Sequence, residues 1–286
     1  DLREGIVRAP GAPSSSFSDD PLRMMRAARF ASQLGVTVAP EVFEAMKDMA
    51  GRIEIISAER VRDELVKLIN GKTPADGVDL LVESGLAEYV LPEVAALRLE
   101  IDEHHRHKDV YQHSLTVLRQ ACDLETGPEG EVPAPDFVLR FAALMHDVGK
   151  PATRRFEGTG AVSFLHHDVV GAKLTAKRMK ALRFDNDTIK AVSRLVELHM
   201  RFYGYGDAGW SDSAVRRYVT DAGPLLQRLH RLTRSDVTTR NRRKAERLAF
   251  AYDDLEARIE KLAEQEELAS IRPDLDGSQI MELLGI

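Results

Sequence analysis

The 286-residue sequence holds a single cysteine, Cys122, so no internal disulfide can brace it and a reducing cytoplasm is the expected setting. Long apolar runs are missing as well: the richest, residues 137–148, is broken by Arg140, His146 and Asp147 and is far too short to span a bilayer. There is no excess of positive charge. A formal net charge of −6 excludes wholesale, charge-driven nucleic-acid binding and leaves only local basic patches. No secretory leader pattern stands at the start. The chain opens on Asp1 rather than Met and stops at Ile286 in mid-pattern, as expected of a piece of something longer.

What is present is helical periodicity. The length exceeds what one core usually serves, so two helical modules or one elongated array are expected, and strands are scarce. Residues 1–18, with Pro10, Gly11, Pro13 and three consecutive serines, read as an irregular lead-in. At Asp20-Pro21 a capped helix begins, carried by Leu22, Met25, Ala28 and Leu34 at helical spacing. Helices follow at about 40–50, 57–69 and 74–84, with Gly35, Gly51, Gly71 and Gly85 as stops. Residues 19–92 thus form one all-helical module. A second, residues 93–240, carries a helix with His113, a Gly/Pro/Glu-rich linker at 125–135, a helix ending at His146-Asp147-Val148-Gly149-Lys150, and a small hairpin flanking Glu157-Gly158-Thr159-Gly160. Helices resume at about 167–183, 187–200, 212–220 and 223–237, and a helix at 241–267 begins a last segment, 241–286. The expected fold is an all-α, elongated multi-helix array.

The chemistry lies in scattered histidines and acids. His113, the adjacent pair His146-Asp147, and Asp236 sit on three different expected helices, and together they offer the imidazole and carboxylate ligands that suit Mg, Mn, Fe, Ni or Zn without choosing among them. Adjacent residues project ~100° apart on a helix, so His146 and Asp147 share one ion only if the helix end points at it, and Gly149 is the expected terminator that permits this. His167 and His199 are candidates for a second metal position, and Lys150 for neutralising a phosphate. A single buried histidine is more often just hydrogen-bonded, so the weight rests on the ordered combination. His104, His105 and His107 read as a solvated loop.

With these residues in view, 109–236 resembles an HD-superfamily phosphohydrolase domain. The first module resembles the neck of the bacterial CCA-adding tRNA nucleotidyltransferases and their poly(A) polymerase relatives. The carrying segments are Ser18-Asp19-Asp20-Pro21-Leu22-Arg23-Met24-Met25-Arg26-Ala27-Ala28-Arg29-Phe30, Ser57-Ala58-Glu59-Arg60-Val61-Arg62-Asp63-Glu64 and the tail Leu275-Asp276-Gly277-Ser278-Gln279-Ile280-Met281. The resemblance implies that Asp20 and Arg23 recognise the base of incoming CTP or ATP. Residues three apart share a helix face, and a planar guanidinium suits a planar base edge. Asp19 stands where the family usually has Glu.

The family's polymerising head carries a Gly-Ser or Gly-Gly turn before an Asp-x-Asp pair on a strand. Asp274-Leu275-Asp276 follows Pro273 with no strand before it, so that head is absent here and is expected to precede Asp1 in a complete enzyme. Arg228, His230, Arg231, Arg234, Arg240, Arg242, Arg243 and Lys244 concentrate positive charge that is either a solvated face or a track for a tRNA backbone. Two functions follow: a CCA-adding tRNA nucleotidyltransferase reduced to its neck and HD portions, or a stand-alone metal-dependent phosphatase or 2′,3′-cyclic phosphodiesterase. Poly(A) tailing is a variant of the first.

Overall fold

The computed structural model describes residues 2–98, 110–156, 162–203, 205, 209–239, 241–270 and 281. They form two compact units, Asp1–Phe202 with Ala222–Arg240, and Tyr203–Asp221 with Asn241–Ile286. Both expected modules, 19–92 and 93–240, contribute to the first unit. Among the described residues no helix is long and apolar enough to cross a membrane.

The lead-in differs from expectation. Ile6–Val7 forms β1, which pairs in parallel with β2, Thr37–Val38, and residues Pro13–Asp19 form helix α1. Pro13 suits a first helical turn, and Phe17, only 3% exposed, gives the short helix an anchor that composition did not reveal. Helix α2 follows, Leu22–Leu34. It buries Leu22, Met25 and Ala28 as its spacing predicts, but Leu34 stays 48% exposed beside the left-handed Gly35 that ends the helix. Asp20 sits one residue outside the N-cap, Pro21, and its side chain accepts from the Leu22 amide at 3.2 Å. Next come α3 (Pro40–Met49), α4 (Ala58–Ile69), α5 (Pro74–Glu83), α6 (Ala87–Val90) and α7 (Pro92–Ala95), with α2 packing on α4 and α5.

The rest of the first unit is built around α9, Phe137–Met145. Seven of its nine residues, Leu139 to Met145, are buried, so it is apolar on nearly every side and must be surrounded. Asp136 caps it by accepting from the Leu139 amide at 2.7 Å. It packs on α8 (Val110–Asp123), α12 (Asn186–Leu198) and α14 (Leu226–Ser235). Its one buried cation, Arg140, is held by Glu125 at 2.6 Å and donates to the Ile69 and Gly71 carbonyls at 3.0 and 2.7 Å, fastening α9 to the end of α4. Between α9 and α12 lie α10 (Lys150–Thr153), an antiparallel hairpin of β3 (Arg155–Phe156) and β4 (Val162–Ser163), and α11 (His167–Ala181). The second unit holds α13 (Asp212–Ala222) and α15 (Arg242–Ser270). Tyr205, Trp210 and Tyr218 form an aromatic cluster there, and Tyr205 donates to Asp254 at 2.6 Å.

Candidate metal centre

Helix ends bring the site together. His146 is the C-cap of α9, His199 of α12 and Asp236 of α14, while His167 opens α11 and His113 lies in the first turn of α8. The last carbonyls of a helix have no intrahelical donor and carry partial negative charge, so three such ends converging favour a cation. They also aim the histidines. His146 Nδ1 donates to the Ala143 carbonyl at 2.8 Å, and His199 Nδ1 to that of Val196 at 2.6 Å. His167 Nδ1 donates to the Phe164 carbonyl at 2.9 Å, and His113 Nδ1 meets Thr238 Oγ1 at 3.1 Å. A carbonyl only accepts, so three of the four rings carry a proton on Nδ1 and turn Nε2 inward, where a cation would take the place of any proton on it.

Two groups of ligand atoms result: His113, His146 and Asp236, and Asp147, His167 and His199, each with its atoms within 4.8 Å of one another. In the first, His113 Nε2 lies 2.9 Å and His146 Nε2 3.6 Å from Asp236 Oδ1. Asp147 faces both groups, with Oδ2 3.2 Å from His146 Nε2 and Oδ1 3.3 Å from His167 Nε2. Lys150 donates to Asp147 Oδ2 at 2.6 Å.

The residues fit a divalent cation on two observations. His146 Nε2 is fully buried between two carboxylates yet aligned for a hydrogen bond with neither. His167 and His199 bring their Nε2 atoms to 3.2 Å, so two lone pairs confront each other once both Nδ1 protons are committed to carbonyls. Ligands bonded at ~2.1 Å to one ion stand roughly 3 Å apart, which matches that spacing. Burial, reinforced by charged His146, lowers the His199 pKa to about 4 and keeps it neutral. Burial also opposes charge on His146, but Asp147 and then Asp236 overcome it and raise that pKa to about 10. The carboxylates move the other way: against burial, His146 holds Asp147, and His113 with His146 holds Asp236, below the ordinary carboxylate range.

The six ligand candidates therefore share one neighbourhood, with Lys150 bound to the carboxylate between the two groups. The HD-domain family model matches residues 110–264, more than half of the chain. The chain belongs to the HD-domain family. A second model, described as a probable RNA and SrmB-binding site of polymerase A, matches residues 35–97. Curated relatives along the full chain are tRNA nucleotidyltransferases: an A-adding enzyme of Deinococcus radiodurans, 33% identical over 293 residues, and a CC-adding enzyme of Thermus thermophilus, 32% identical over 296. The HD-domain chain spans 64% and 62% of their lengths. Its fold resembles the Bacillus stearothermophilus CCA-adding enzyme crystallised with CTP, at a TM-score of 0.56 and 20% identity, covering all of this chain and 57% of that one.

Outside the HD centre, Asp20 is ion-paired with Arg60 at 3.1 Å and Arg26 at 3.8 Å. Arg23 donates to the Ser16 carbonyl and hydroxyl at 3.2 and 3.1 Å and stands 3.9 Å from Asp19, all through Nη1. The basic stretch divides by role. Arg228 clasps Asp136 through Nε and Nη2, and Arg231 donates to the Leu124 carbonyl at 3.1 Å, so both tie α14 to the segment before α9. His230 is buried, while Arg242, Arg243 and Lys244 are exposed on α15. His104, His105, His107, Arg240 and residues 274–276 lie outside the described residues.

Thr238 and the three carbonyls that aim the rings were not foreseen. Thr238 had a weak signal, two residues beyond Asp236; the carbonyls had none, because every residue has one. Gly149 was expected to end α9, but its φ of −78° is ordinary helical backbone. Its need is space: a Cβ there would lie 2.0 Å from the His167 carbonyl oxygen and 2.7 Å from the Gly171 nitrogen.

Proposed function

We propose that this chain is part of a tRNA nucleotidyltransferase that builds the CCA 3′ end, and that its HD centre is a metal-dependent phosphohydrolase. The observation that carries the first half is similarity along the whole of this chain to tRNA nucleotidyltransferases at about a third identity. In that setting Asp20 and Arg23 read the base of CTP or ATP. Ser16 fixes one end of the Arg23 guanidinium, leaving its remaining N–H groups turned to solvent as donors for a base edge. Arg60 and Arg26 hold the Asp20 carboxylate in place as an acceptor. The exposed Arg242, Arg243 and Lys244 suit contacts to tRNA phosphates. One relative is named for A addition and the other for CC addition, and near-equal identity to both leaves the nucleotide to experiment.

The hydrolytic half rests on the six converging ligands. A divalent cation there supplies Lewis acidity toward a phosphoryl oxygen and lowers the pKa of water. Imidazole rings oriented by backbone carbonyls need no rotation to receive it, and Lys150 places a positive charge beside a phosphate. Hydrolysis joins a water oxygen to phosphorus and breaks the phosphorus–ester bond, with the departing oxygen taking a proton.

The complete gene product carrying this sequence is the material for the test. With tRNA lacking its 3′ end and labelled CTP or ATP, it incorporates nucleotide, and Arg23→Ala loses incorporation far more than tRNA binding. Failure with both nucleotides defeats the first half. Phosphatase and 2′,3′-cyclic phosphodiesterase assays with Mn, Ni or Mg test the second, where activity indifferent to His146→Ala defeats it.

A further inference from the structure

The β3–β4 hairpin is joined to the HD centre at its base. Lys150, hydrogen-bonded to Asp147 at 2.6 Å, starts the short helix that runs directly into Arg154 and β3. Its Nζ also stands 5.8 Å from the centre of the Phe164 ring, at the end of β4, and the Phe164 carbonyl is the group that aims His167. Phe156 pairs with Val162 and Arg155 with Ser163, and Arg154 and Phe164 flank this ladder at its base, next in the same register. Strand side chains alternate, so Arg154, Phe156, Val162 and Phe164 share one face. The Arg154 guanidinium lies 4.7 Å over the Phe156 ring, and that ring is 69% exposed. A bare phenylalanine with a guanidinium already stacked on it, two strand residues (~7 Å) from the end that touches the centre, is the chemistry that receives a flat, electron-rich ring attached to an anion.

We propose that this hairpin face is a stacking platform for the nucleobase of a nucleotide whose phosphate ester lies at the HD centre. The proposal rests on the phosphohydrolase reading and adds to it the two residues that would hold the base, both outside the metal ligands. Phe156 and Arg154 act as specificity-determining residues. They touch the base and leave the ligands of the centre unchanged.

Adenosine 2′-phosphate and glycerol 2-phosphate present the same monoester with and without a base. In the intact protein loaded with Mn, Phe156→Ala and Arg154→Ala lower kcat/KM for the nucleotide about tenfold, the order expected for one lost base stack, and leave glycerol 2-phosphate unchanged. Phe156→Trp restores the nucleotide rate. An oligonucleotide ending in a 2′-phosphate shows the same loss if only its terminal base stacks, and a larger one if neighbouring bases also use the hairpin. Equal losses on both small substrates, or none, overturn the platform. Should wild-type protein hydrolyse neither, equilibrium dialysis with adenosine 2′-phosphate separates the two ideas. Binding tenfold weaker in Phe156→Ala and restored in Phe156→Trp sustains the platform while ending the hydrolase reading. Binding that ignores both substitutions, or no binding, ends the platform.

Discussion

Replacing Gly149 by alanine tests whether the centre depends on backbone proximity. The added Cβ would sit 2.0 Å from the His167 carbonyl oxygen and 2.7 Å from the Gly171 nitrogen, and neither can rotate away as a flexible side chain would. The turn after α9 and the start of α11 must therefore part by about 1 Å in an interior that is otherwise close-packed. That movement opens the contact of 3.3 Å between Asp147 Oδ1 and His167 Nε2, because the two residues lie on opposite sides of the strained junction. Overpacking of this kind costs ~1–3 kcal/mol. For a cooperative unit of this size, each kcal/mol lowers Tm by about 2–4 °C, so a fall of about 2–12 °C is expected. Metal affinity falls about 10- to 100-fold, the range seen when a supporting shell is disturbed. Calorimetry and metal analysis after dialysis against a weak chelator supply both readings. Gly11→Ala is the control, since no atom lies within 4 Å of its built Cβ and only about ±0.5 kcal/mol is expected. Gly149→Ala protein with wild-type Tm and full metal retention would refute the reasoning.

Glu125→Ala strands the buried Arg140 and destabilises the first unit by about 3–5 kcal/mol in urea unfolding, whereas the Glu125→Leu/Arg140→Met pair recovers most of the loss. Burial, together with Arg234 and Arg231, lowers the His230 pKa to about 4 against the opposing pull of Glu131. The unfolded chain then binds the proton more readily than the folded one, so this contribution is complete above pH ~6.5 and is lost as pH falls toward 4. Its slope is at most ~1.4 kcal/mol per pH unit, and a His230→Gln protein shows that much less acid sensitivity in the same window. Asp147→Asn removes the charge that both ligand groups face, so metal per chain falls further than in either His113→Ala or His199→Ala.

Most helices were legible because burial on one side imposes its period on the sequence, as in α2, whose Leu22, Met25 and Ala28 are buried where the spacing put them. The cap of α12 was not singled out in the sequence: Asp185 accepts from the Thr188 amide at 2.8 Å. Helix α1 and strand β1 were not legible. Each is short, and each is held by distant partners, α3 and β2, rather than by its own pattern. The basic stretch near Asp236 misled by its uniformity, since nothing in the letters separates Arg228, which clasps Asp136, from Arg242, whose side chain is 91% exposed.

For the metal centre, sequence alone decided which side chains have metal-binding chemistry, because ligand type is a property of the residue. It also determined that they fall near helix ends, since periodicity shows where helices stop. Only the tertiary structure decided that five separate elements deliver them to one place, that backbone carbonyls turn the Nε2 atoms inward, and that Gly149 lets two backbones approach closely enough for Asp147 to face both groups. Those are distances between residues far apart in the chain, and they are set by packing around α9 rather than by any local pattern.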